Sequence, residues 1–533
     1  MRTASLLSKS VCVGSMKPAV SAGSARLCLR GLGVLALLGL LADSAPAGLF
    51  TPGDLLVSGS TYAGTAATVT VGQTLPGGGT AIADGTYPYV FNNATVDSSF
   101  GVSSPIFINE ITTSGSPVNT INIPTSLVTT SFSSKSELAL NLSANGTSVT
   151  FMGYVTPINA LDVSNSNTPG IVDPTNPVKS TTYRAVAQLN ADGTMESTTT
   201  NAYSGNNGRA AVLAANGAYY TTGNAGNGTG TPPSTIVGAA GVQLVTPGQS
   251  ATPSAPGTTM VGSFSVMQEG YPADKAGKDN NFRGETIFNN TLYVSKGSGN
   301  NGIDTVYQVG QAGTLPTGTM NPISILPGFP TILASDPNSV LHPFGIWFAN
   351  ATTLYVADEG DGVLANAGTS LNHGGLEKWS LVNGTWQLDY TLTNGLKLGV
   401  PYTVMDYPTG NNPVTGEPWS PETDGLRNII GHVNGDGTVT IYAVTSTVSG
   451  SGDQGADPNN LVAITDTLSY TTSNQAASET FTTLKSAGYG QVLRGVSFTP
   501  TSAVPEPSTI VMMMTGLVVI VSAGLRARVI KGH

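Results

Sequence analysis

"QVLRGVSFTP" (residues 491–500) decides the fold of this chain, because it is the first half of a repeating unit whose second half is missing. Fuller copies are "NNGRAAVLAANGAYYTTGNAG" (206–226), "NNFRGETIFNNTLYVSKGSG" (280–299), "HPFGIWFANATTLYVADEGDG" (342–362) and "DGLRNIIGHVNGDGTVTIYAVTS" (424–446), with a weaker one in "SELALNLSANGTSVTFMGY" (136–154). Each passes from a polar lead-in to an apolar strand, turns at an Asn-Gly or Asn-Asn type pair, and returns in a second strand ending in small residues. Pairs such as Asn145-Gly146 and Asn216-Gly217 suit tight hairpins, whose central residues take positive φ. The copy at Gln491 stops after one strand. Its partner stands at the other end of the body, in "GDLLVSGSTYAG" (53–64). A closed ring resolves this, with the last strand pairing with the first hairpin, and the count predicts an all-β, six-bladed β-propeller.

Equivalent positions (Arg209, Arg283, Phe344, Arg427, Arg494) lie 61 to 83 residues apart, whereas propeller repeats run about 40–50. Each blade is therefore expected to carry long inter-strand insertions, with the Gly-, Pro-, Asn- and Thr-rich stretches 224–262 and 360–420 as the candidates. A β-sandwich pair or a β-helix is the competing architecture. In pattern the body resembles propellers of the NHL and YncE kind, without a signature such as Trp-Asp strand ends.

The two ends read as addresses. "CLRGLGVLALLGLLADSAPAG" (28–48) follows Arg26, contains Arg30, and carries an apolar run from Leu32 to Leu41 and a small-residue exit at Ala45-Pro46-Ala47. That is the layout of a secretory signal peptide over 1–47, cut after Ala47, with Met16 as an alternative start. At the other end, Thr509 to Leu525 holds no charge and as a helix would span about 26 Å at ~1.5 Å per residue, the low end of what crosses a bilayer. Arg526, Arg528 and Lys531 place its end in the cytoplasm. Physics alone allows an ordinary tail anchor. The order Pro505-Glu506-Pro507, apolar helix 509–525, basic tail 526–533 resembles the PEP-CTERM sorting signal of Gram-negative bacteria. The resemblance covers about residues 501–533. It implies recognition by an exosortase-type membrane protease, a transient hold in the inner membrane, and delivery of the body (48–500) to the cell surface or extracellular matrix.

Both cysteines, Cys12 and Cys28, fall in the leader, so the body has neither disulfides nor Cys-based metal sites. Without leader and tail, 13 basic residues face 29 acids, a formal charge of −16. Such a surface repels nucleic acid and tolerates divalent cations. Thr, Val, Tyr and Gly enrichment with sparse helix formers agrees with an all-β body.

Among candidate functional residues, Arg209, Arg283, Arg427 and Arg494 hold one place in four repeats, at the start of the innermost strand. Converging at a propeller mouth, guanidiniums bind a carboxylate or phosphate bidentately; alternatively each pairs with a neighbouring blade and locks the ring. His342 heads one such strand, and with His432 and the arginines it could serve acid–base chemistry. Asp358, Glu359 and Asp361 in "ADEGDG" (357–362) could hold Ca2+ as hard oxygen ligands, or simply be solvated. Tyr219, Tyr293, Tyr355 and Tyr442 recur in second strands and are expected to pack between blades. No Gly-x-Ser-x-Gly elbow, zinc-binding His pair or phosphate loop occurs, so no catalytic residue is assigned. The expectation is a noncatalytic platform for partners, surface proteins or extracellular polysaccharide. The alternative is a secreted propeller enzyme, lyase- or lactonase-like, acting on polysaccharide or lactone substrates.

Overall fold

Strand Gln491–Phe498 lies antiparallel beside Leu55–Thr61, with Leu55 opposite Phe498, Val57 opposite Val496 and Thr61 opposite Gln491. Leu55–Thr61 pairs on its other edge with Ile106–Ile111, and that strand with Pro117–Asn122. The chain's last strand is thus the innermost strand of a blade otherwise built from its beginning. The computed structural model describes residues 48–502 apart from 66, 71, 82–100, 249–266, 269, 273–278, 318–320, 414 and 453.

Taking this sheet as blade 1, five more follow in chain order. Blade 2 contains Asn141–Leu142, Ser148–Val155, Tyr183–Asn190 and Met195–Thr200, and blade 3 contains Gly208–Leu213, Tyr219–Gly223 and Gly241–Val245. Blade 4 runs Glu285–Phe288, Thr291–Lys296, Thr305–Val309 and Ile323–Ile325. Blade 5 runs Pro343–Asn350, Thr353–Asp358, Gly375–Val382 and Thr385–Leu392, and blade 6 Glu422–Val433, Thr438–Val448, Asn460–Thr467 and Thr482–Ser486. The protein is an all-β, six-bladed propeller, and neither a sandwich nor a β-helix. Hairpin chemistry sets the inner pairs: Asn289 and Asn290, with φ of 46° and 56°, make the two-residue turn that matches strand twist in blade 4.

The apolar residues form one core between each pair of neighbouring blades. Between blades 6 and 1, Tyr442, Val444 and Leu461 meet Leu55, Val57, Leu493 and Val496. Tyr219 belongs to the core between blades 2 and 3, Tyr293 packs on that between blades 4 and 5, and Tyr355 lies between blades 5 and 6. All four recurrent tyrosines are packing residues.

Around the axis, inner strands approach too closely for a side chain at one position. A Cβ on Gly284 would sit 2.2 Å from Phe344 O, on Gly345 2.5 Å from Arg427 O, and on Gly495 2.3 Å from Leu138 O. Each contact reaches the next blade. A hydroxyl from the second strand then reaches the next blade's inner run: Ser58 Oγ donates to Leu138 O at 2.6 Å, Thr150 Oγ1 to Ala211 O at 2.5 Å, and Ser295 Oγ to Phe344 O.

The insertions gather at the end of the ring where the inner strands begin. There Val69, Leu75 and Ala81 from blade 1 share a core with Phe132, Tyr407, Trp419 and Ala456. Among the described residues no helix is long and apolar enough to cross a membrane. The leader (1–47), the sorting residues Pro505, Glu506, Pro507, Arg526 and Arg528, and the helix expected over 509–525 lie outside the described residues.

Leu493, 1 % exposed on the closing strand, should be among the costliest positions to truncate. We expect Leu493→Ala to lower the urea unfolding free energy by about 2–5 kcal/mol. Val118→Ala, at a 48 % exposed site of the same blade, should change it by less than about 0.5 kcal/mol. Equal losses would mean that the last strand does not close the ring.

Candidate functional site

All six inner strands run the same way, so their beginnings meet at one end of the central channel and their ends at the other. At the far end a cavity of about 200 Å3 is lined by Leu142, Val212, Ile287, Trp347 and Ile430, among others, from five blades. The near end carries the charges. Arg209 lies within Gly208–Leu213 and Arg283 just ahead of Glu285–Phe288, while Arg427 and Arg494 sit inside their strands rather than at the start.

Each arginine is buried and engages its own chain. Arg209 donates to Phe282 O at 2.9 Å and to Asn281 Oδ1 in the lead-in to blade 4. Arg283 donates to Ser136 Oγ at 2.6 Å, reaching from blade 4 to the lead-in of blade 2. Arg427 pairs through Nε with Glu359 Oε2 of blade 5 at 3.2 Å and donates to Gln454 O at 3.0 Å. Arg494 donates to Phe132 O at 2.6 Å and to Gly455 O.

At the centre stands a residue the repeat alone did not single out. Lys135 Nζ lies 3.0 Å from Glu359 Oε2 and donates to Gln454 Oε1 at 2.9 Å. It tops the weak repeat, which lacks an arginine, so the missing cation is supplied from one residue outside the quoted stretch. Burial depresses the Lys135 ammonium, and Arg283 and Arg427 add to this against the pull of Glu359, leaving it at about 8. Burial alone would raise the Glu359 carboxyl; Lys135, Arg427 and Arg283 override it and hold it at about 2. Both partners therefore stay charged between about pH 2 and 8.

Glu137 also escaped notice in the sequence. It is buried, accepts from Asn207 Nδ2 at 2.7 Å and from the Tyr154 hydroxyl, and burial pushes its carboxyl up. Arg184, the fifth arginine of the body, lies beneath the insertion of blade 2. It donates to Thr182 O at 2.7 Å, Ser166 O at 2.8 Å and Asn206 O at 2.8 Å.

The three acids considered for calcium have separate roles. Asp358 accepts from the backbone N–H of His342 at 2.6 Å and of Gly360 at 2.8 Å, Glu359 holds the two cations, and Asp361 accepts from Val363 N at 2.9 Å and Asn366 Nδ2 at 2.6 Å. Among the described residues no three His, Cys, Asp or Glu side chains are gathered as a metal site. His342 feels Asp304 and Glu359, but burial dominates and lowers its pKa. Its Nδ1 has no hydrogen-bond partner. His432 is exposed and meets Phe498 edge-on, with ring centroids 6.1 Å apart. The two histidines therefore do not share a site.

No family model matches this chain, and no curated protein sequence does. Among solved structures it is similar to the parainfluenza virus 5 hemagglutinin-neuraminidase ectodomain, at 11 % identity over 80 % of this chain and 92 % of that one, TM-score 0.31. A Synechocystis apocarotenoid oxygenase aligns at 8 % identity over 72 % and 60 % of the two chains, TM-score 0.22. A quinonprotein alcohol dehydrogenase-like protein from Bacteroides thetaiotaomicron aligns at 9 % identity over 75 % and 85 %, TM-score 0.23. Likeness this slight carries no functional information, and the propeller is established by its own six sheets.

Removing Glu359 would leave the buried Arg427 and the half-buried Lys135 without their shared partner, so Glu359→Gln should cost about 3–5 kcal/mol of stability. Its folded pKa lies below the ordinary carboxylate value, so its contribution is present above about pH 4.5 and is lost as pH falls toward 2. Urea unfolding followed between pH 5 and 2 should therefore fall less steeply in Glu359→Gln than in the parent. Parallel curves would show that this pair does not set acid sensitivity.

Proposed function

We propose that this is a noncatalytic exported protein, sorted to the cell surface or extracellular matrix by an exosortase-type system, whose propeller is a rigid platform for partners or glycans. The observation that supports the noncatalytic reading is how the channel arginines are used. Arg209, Arg283, Arg427 and Arg494 all bond to backbone or side chains of their own ring, the arrangement of struts rather than of a substrate clamp. Support for sorting comes from the order of Pro505-Glu506-Pro507, the uncharged stretch 509–525 and Arg526 and Arg528.

The direct test is to fractionate the native host and map the C-terminal peptide by mass spectrometry. A chain ending near Pro505 and enriched in surface or matrix fractions is expected. An intact chain ending at His533 in the membrane fraction would make it a tail-anchored protein and remove the sorting proposal.

A further inference from the structure

A cavity lies away from the channel, against blade 6. The segment from Gly395 to Asp406 links the outer strand of blade 5 to the inner strand of blade 6 and stands off from blade 6, enclosing about 680 Å3. That volume is in the range of small-molecule sites. All four strands of blade 6 contribute to its wall, through Thr423, Thr445, Asn460 and Thr483.

The cleft is preformed. Gly399 N donates to Thr423 O at 3.0 Å and Tyr402 N to Pro421 O at 3.0 Å, which fastens the linker along the blade. The Tyr402 hydroxyl donates to Pro458 O at 2.6 Å, and Leu396 is sunk in the core between the two blades. Tyr489 on the opposite side is held edge-to-face by Tyr407, with centroids 6.3 Å apart. Two lining residues at either end of the linker, Lys397 and Asp406, take φ of 55° and 64°, a conformation costly for non-glycine residues and concentrated at functional sites. Little ordering would remain to be done on binding.

We propose that this cleft binds a neutral oligosaccharide. Among the described lining residues the charged ones are Lys397 and Asp406, one of each sign, so a polyanion or polycation would lose hydration without gaining a matching field. The polar remainder is mostly hydroxyl: Thr403 and Thr483 can both donate and accept as sugar hydroxyls do, while Tyr402 and Ser486, whose protons go to Pro458 O and Asn460 Oδ1, keep acceptor lone pairs. Ser486 Oγ donates to Asn460 Oδ1 at 2.6 Å, which fixes the amide so that its NH2 is the group available to a ligand. Tyr402, Tyr489 and the 81 % exposed Met405 supply the apolar surface on which C–H faces of a sugar ring can rest. The assignment rests on the exported-platform reading, since a neutral glycan is what such a protein would meet outside the cell.

The full chain, purified in mild detergent, is titrated by calorimetry with maltotriose, cellotriose, laminaritriose and N-acetylchitotriose, and with trigalacturonate as the acidic control. At least one neutral trisaccharide should bind with one site per chain, and more tightly than trigalacturonate. Tyr489→Ala should weaken it about tenfold or more. Thr483→Val, a near-isosteric change at an exposed edge position, should weaken it about two- to tenfold with an unchanged melting temperature. The assignment is overturned if none of the neutral sugars binds, if trigalacturonate binds best, or if both variants bind like the parent. It is also overturned if an extended peptide of mixed sequence displaces the sugar at equal concentration. Failure here together with a chain trimmed near Pro505 would discard the cleft and leave the platform reading intact. Binding by a chain found untrimmed in the membrane would do the reverse.

Discussion

The ring depends on how closely one inner strand can lie against the next. Where Gly284, Gly345 and Gly495 face a neighbouring carbonyl at under 3 Å from a would-be Cβ, any larger residue would push a blade outward. Displacing one blade opens every interface, because a closed ring has no free edge to absorb the shift. Ser58, Thr150 and Ser295 then satisfy carbonyls of the next blade that the tight approach hides from water, which removes the penalty of leaving them unpaired. Apolar packing lies further out, one core per interface.

The charged end of the channel follows from the same geometry. Inner strands that begin at one place bring the side chains of their first halves together, and in four of the six blades these include an arginine. Glu359 reconciles two cations, Lys135 and Arg427. Carboxyls nearby lack such compensation. Burial, opposed by the backbone N–H of Gly362 and reinforced by Asp361 and Glu359, pushes Asp424 up to about 7, and burial lifts Asp457 to about 6. Burial, which penalises the charged form, is the main cause of both shifts.

Much of this was legible in the sequence, because the signals were local. An Arg-Gly or Phe-Gly step stands in three of the inner runs, at Arg283-Gly284, Phe344-Gly345 and Arg494-Gly495, and the unpaired copy at Gln491 with the orphan hairpin at Gly53 implies closure. The tyrosines recur at hairpin spacing and pack as expected. The contacts at the channel were not legible, since Lys135, Glu359 and Gln454 come from three different blades and no periodicity connects them. Arg283 and Ser136 meet only because the insertion ahead of blade 2 folds back over the axis. The irregular repeat length has the same origin: insertions such as 156–182, 359–374 and 393–421 lie in loops at the charged end, where length is tolerated. The cleft beneath Gly395–Asp406 arises from one of them and leaves no motif.

Closure by a borrowed strand also brings the ends of the body together. A Cβ on Gly48 would lie 3.3 Å from Ser502 Oγ, and Thr501 N donates to Gly146 O at 2.8 Å in the same neighbourhood. In such a ring the position of the chain break is a matter of genetics rather than mechanics. Joining 502 to 48 and opening the chain instead at the exposed Gly435–Gly437 turn would keep every blade contact. The gene could thus be circularly permuted, with the borrowed strand then belonging to its own blade by covalent connection.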